Sequence, residues 1–86
     1  MKQFAGVQEF YAFIDAFAER LTNQGLEDHA RKLHFLMHKV AWTTWSELLG
    51  EIAAELQRIE DLHGSVLPPD ISDALSASLA YSRKYS

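Results

Sequence analysis

No cysteine occurs among the 86 residues. Disulfides, thiolate metal sites and cysteine nucleophiles are therefore excluded. Proline is confined to one adjacent pair, Pro68-Pro69, and glycine to four positions. Helix breakers are rare, so their places are informative. No apolar run approaches the ~20 residues of a membrane-spanning helix, and no segment alternates with a period of two for long enough to predict a strand. The stretch MKQFAGVQEFYAF has neither the long apolar centre nor the small-residue cleavage site of a signal peptide, which predicts a cytoplasmic protein. Positive charge is scarce as well. Eight Lys and Arg stand against twelve Asp and Glu, a net charge of −4. That opposes attraction to nucleic acid or anionic lipid and suits a basic protein partner.

What is present is helical periodicity in one domain, residues 1–86. The first helix is predicted over 3–24, where Val7, Phe10, Ile14, Phe17 and Leu21 share one stripe, flanked by Tyr11 and Phe13. Gly25 suits the left-handed position that follows a helix. The second is predicted over 27–42, with Glu27 and Asp28 at its positive end and a stripe of Ala30, Leu33, Met37 and Val40. Thr44 and Glu47 form a capping-box pair, and the third helix runs from there to His63. Its stripe is Trp45, Leu48, Leu49, Ile52, Leu56, Ile59 and His63, and Gly64 ends it. After the linker SVLPP, Asp70 is the expected cap of a fourth helix over 71–84. The stripe of that helix, Ile71, Leu75 and Leu79, is thin, so it is expected to be the weakest element. Short loops predict an all-α, antiparallel up-and-down four-helix bundle with a three-helix core and a weaker C-terminal helix.

The segments Trp42-Thr43-Thr44, Ser46-Glu47-Leu48-Leu49 and Leu67-Pro68-Pro69 resemble those of short uncharacterised bacterial all-helical proteins. These carry a W-T-[ST]-x-S-E-L-L cap and a later L-P-P before the last helix. The resemblance implies a helical fold and a bacterial source, and brings no activity with it.

Two candidate sites remain. His34 and His38 stand four apart, one turn of helix, so both rings lean the same way. H-x-x-x-H is a metal-ligand spacing, but a site needs a third ligand. The sequence has one E-x-x-H, Glu60 to His63, where four-helix di-metal sites use two. The plain reading is a polar flank, and the alternative is a metal-binding protein or metal-dependent enzyme centred on His34 and His38. No cofactor and no catalytic set is assigned, since no nucleophile can be placed beside a histidine. The second candidate is a contact surface. Phe35 points away from its helix's apolar stripe, and Trp42 is expected on the same side, with His38 between them. Either the bundle covers these rings or they bind a partner. Gly50 and Ala54 on the third helix are small residues suited to close helix approach. Phe35, His38, Trp42, Gly50 and Ala54 together predict a protein-protein interaction module that forms a homodimer. Glu47, Glu51 and Glu55 read as a solvated acidic ridge, which also argues against a DNA-recognition helix.

Overall fold

A computed structural model describes residues 4–86. Among them are four α-helices, one short 3-10 turn and no strand: α1 Val7–Asn23, α2 Glu27–His38, α3 Trp45–His63, the turn Gly64–Val66 and α4 Pro69–Tyr85. No helix among the described residues is long and apolar enough to cross a membrane. The four helices close on one apolar core. Phe10, Ile14, Phe17 and Leu21 enter it from α1, and Ala30, Leu33, Leu36 and Met37 from α2. Leu48, Leu49, Ile52, Leu56 and Ile59 enter from α3, and Ile71, Ala74, Leu75 and Leu79 from α4. α4 is therefore not an outrigger. Its thin stripe is widened by Ser78 and Ser82, both fully buried. Each serine donates its hydroxyl to the carbonyl four residues back, at 2.8 Å, so no polar group is stranded when α4 packs closely.

The helix ends show where the expected boundaries hold and where they move. α1 starts at Val7, later than the expected residue 3, which lies outside the described residues. It ends in the two bonds of a Schellman turn, Leu26 N–H to the Leu21 carbonyl at 2.9 Å and Gly25 N–H to the Thr22 carbonyl at 3.0 Å. Gly25 takes φ +80°, and nothing lies within 4 Å of where its Cβ would be. The cost of a side chain there is the backbone's alone. Gly25→Ala should lower stability by about 1–2 kcal/mol in chemical denaturation, and Gly25→Asn by less, because asparagine tolerates that region better.

α2 stops at His38, four residues before the expected position 42. Its last carbonyls are taken by three different donors. The Lys39 N–H bonds the Phe35 carbonyl at 2.9 Å, the Trp42 indole N–H bonds that of Leu36 at 2.6 Å, and the Tyr11 hydroxyl bonds that of Met37. Two aromatic side chains thus do what a C-terminal glycine does elsewhere. Trp42 is a half-buried cap outside the helix rather than a residue on its outer face.

At the start of α3, the Glu47 N–H donates to the Thr44 hydroxyl oxygen and that hydroxyl donates to the Glu47 carboxylate, both at 3.3 Å. Trp45, expected on the core stripe, occupies the first helical position and is half exposed. Gly64 does not stop the chain in a left-handed turn: its φ is −53°, and the chain runs on into the 3-10 turn. α4 begins one residue before the expected cap. Pro69 holds the first position, where its missing N–H leaves nothing unsatisfied. Asp70 falls inside the first turn and instead takes the Arg20 guanidinium at 2.6 Å.

Candidate functional site

Asp15 on α1 meets His34 and His38 on α2. Each offers one ligand atom, and these three atoms lie within 4.8 Å of one another. Among the described residues this is the one group of three such side chains so arranged. The His38 Nε2 already contacts both Asp15 carboxylate oxygens, at 2.9 and 3.1 Å. The His34 and His38 rings sit 4.6 Å apart. Asp15 is thus a third side chain able to ligate, which the H-x-x-x-H spacing by itself lacks. Asp15 is half-buried, while His34 and His38 are exposed.

Rings continue outward from this cluster. Tyr11 lies 5.7 Å from the His38 ring, and Trp45 stands edge-on to Tyr11 at 5.6 Å. The Tyr11 hydroxyl has its pKa raised above 10.0, first because burial strips water from the phenolate and second because Asp15 repels it. It therefore stays a neutral donor to the Met37 carbonyl and holds the first turns of α1 against the end of α2. On the other side of the cluster an open groove between α1 and α2 is lined by Ala16, Ala18, Ala30, Glu19 and Arg31, with Asp15 and His34 at its edge.

The expected contact residues fall in different places. Phe35 is exposed, with 49% of its surface in water. His38 is exposed but engaged with Asp15. Trp42 is half-buried and committed to the Leu36 carbonyl. Gly50 is half-buried beside the end of α4: an added Cβ would meet only the Ser86 Cβ, at 3.9 Å, an ordinary contact. No close helix crossing requires glycine there. Ala54 is exposed.

A second polar cluster was not foreseen. Glu55, read as part of a solvated ridge, is only 4% exposed, whereas Glu47 and Glu51 are indeed in water. Its carboxylate contacts His29 Nδ1 at 2.7 Å and accepts from the Arg58 guanidinium. The half-buried His63 sets its ring edge-on to His29 at 5.3 Å. Glu60, its partner in the single E-x-x-H, is exposed. The cluster has carboxylate, imidazole and guanidinium but no adjoining nucleophile, and every buried side-chain polar atom among the described residues has a partner. That is the chemistry of a satisfied structural network.

The chain matches no family model, no curated protein and no solved structure.

Proposed function

We propose that the protein is a small interaction module that pairs with a second copy of itself through the outer surface of α2 and the link into α3. The observation that carries this is Phe35, half exposed in the last turn of a helix whose opposite side already fills the core. Trp45, 50% exposed at the start of α3, adds a second large ring to the same end of the molecule through Tyr11 and His38. Large rings left in water are the usual anchors of a contact surface. Trp42 shapes that surface by capping α2, and Gly50 and Ala54 drop out of its centre.

The reading assumes an antiparallel up-and-down bundle. Five contacts support it. Tyr11 near the start of α1 bonds Met37 at the end of α2, and His29 near the start of α2 bonds Glu55 and touches His63 at the end of α3. Gly50 near the start of α3 lies by Ser86, and Arg20 near the end of α1 pairs with Asp70 at the start of α4. Two-fold pairing through one such surface is the commonest way for a chain to cover it.

The test is sedimentation equilibrium across a concentration series in the micromolar range. The wild type should rise to twice the chain mass, and Phe35→Asp should stay at one chain mass with an unchanged far-ultraviolet spectrum. Equal masses for both proteins at every concentration would dismiss the pairing.

A further inference from the structure

We infer that Asp15, His34 and His38 form a binding site for one divalent transition cation, with zinc-like preference. Three features of the donor set lead there. First, the ligands are two imidazole nitrogens and one carboxylate oxygen. That mixture suits zinc, cobalt, nickel or copper, whereas magnesium and calcium call for oxygen alone. Second, the spacing is close to what coordination needs. Around a tetrahedral ion with ligand bonds of about 2.1 Å, neighbouring ligand atoms are about 3.4 Å apart. The three atoms here lie within 4.8 Å, and His34 and His38 are exposed side chains at successive turns of one helix. Third, His38 Nε2 and Asp15 already face each other at 2.9 Å, so the ion takes the place of the direct contact between them.

Three protein ligands leave one or more positions for water or for an outside donor. The groove beside Asp15 and His34 gives solvent access to them. The ion would tie α1 to α2 across their interface, and its charge offsets part of the net −4. The site shares His38 with the proposed pairing surface but not Phe35, and all three ligands belong to one chain, so the cation would bind a single chain.

The experiment is isothermal titration of the purified full chain with zinc chloride after chelator treatment, with elemental analysis of the gel-filtered complex. One zinc per chain is expected. Asp15→Asn, His34→Ala and His38→Ala should each weaken binding by at least about tenfold, a loss seen even when only a supporting group is removed. His63→Ala, from the other histidine cluster, and Phe35→Asp should bind as the wild type does. At a hundredfold excess over the dissociation constant, zinc should raise the melting temperature by roughly 10–20 °C, as expected for a ligand of the folded state in a domain of this size. Magnesium at the same concentration should do nothing. Circular dichroism of each variant establishes that it is folded. Cobalt added in place of zinc should give visible absorption bands in the wild type that are absent from all three variants. Less than stoichiometric zinc, or equal affinity in the wild type and the three ligand variants, overturns the site.

Discussion

Phe10→Ala is expected to cost about 3–5 kcal/mol, the loss typical of a large buried ring cut back to a methyl group. Phe10 is fully buried. Its ring stacks on Tyr81 at 4.5 Å and meets Phe4 edge-on at 5.3 Å. Those contacts link the start of α1 to the end of α4. Removing the ring opens a cavity between two helices and leaves Tyr81 and Phe4 without their shared neighbour. At ~0.05–0.15 kcal/mol per residue, a domain this short holds only a few to about a dozen kcal/mol in total. The substitution therefore removes a large part of the reserve. Urea unfolding followed by circular dichroism reads the change: the midpoint should fall sharply while the slope is unchanged. Val66→Ala, an exposed position, is the control and should stay within about 0.5 kcal/mol. A Phe10→Ala loss below 1 kcal/mol would mean that the aromatic contact between α1 and α4 is absent in solution.

The stripe that contains Phe10 was readable without coordinates because each helix sees the core as a fixed direction. Phe10, Ile14, Phe17 and Leu21 repeat every three or four residues, and all four are buried. Gly25 and the Thr44 cap are readable because their chemistry is local: a backbone region that favours glycine, and a hydroxyl that takes the N–H three residues on; the Glu47 carboxylate meets that hydroxyl rather than the backbone N–H of a full capping box. The end of α2 was not readable. No glycine or proline stands at positions 39–41, and the groups that terminate the helix, Tyr11 and Trp42, are side chains outside it.

Asp15 was missed for a related reason. Its partners are in another helix, and a single helical projection contains no information about what faces what. The turn at Gly25 supplies it. Asp15 lies ten residues before that glycine and His34 nine after it. In the proposed antiparallel arrangement, with equal rise per residue on both sides, they reach the same height. A hairpin register drawn through Gly25 would have brought the carboxylate to the histidines. The proposed contact surface is legible only in part. Phe35 is exposed as its direction predicts, but Trp42 has no helical direction, because α2 ends four residues before it.

Glu55 could have been read from its own helix, and the error there is geometric. Residues four apart advance about 40° around the helix axis, so a ridge of glutamates drifts as it climbs. Glu55 is two such steps beyond Glu47, within about 20° of the direction of the buried Leu48. The drift carries the carboxylate out of water, and burial is tolerated only because His29 and Arg58 meet it. The two partners are unequal. Arg58 is 58% exposed and contributes at most about 1 kcal/mol. His29 is 17% exposed and holds the better-shielded bond. Arg58→Met alone should therefore be mild. His29→Met with Arg58→Met leaves a buried carboxylate uncompensated and should cost about 3–5 kcal/mol at neutral pH. Adding Glu55→Met to that double variant removes the stranded charge and fills the space with an apolar side chain, so stability should return to within about 1 kcal/mol of the wild type. The recovery is the decisive readout, because a double variant that merely lost packing would not be rescued by a third substitution. Urea unfolding of the four proteins measures it. If the double variant loses less than about 0.5 kcal/mol, Glu55 lies in water with Glu47 and Glu51, and the ridge is as solvated as its charge suggests.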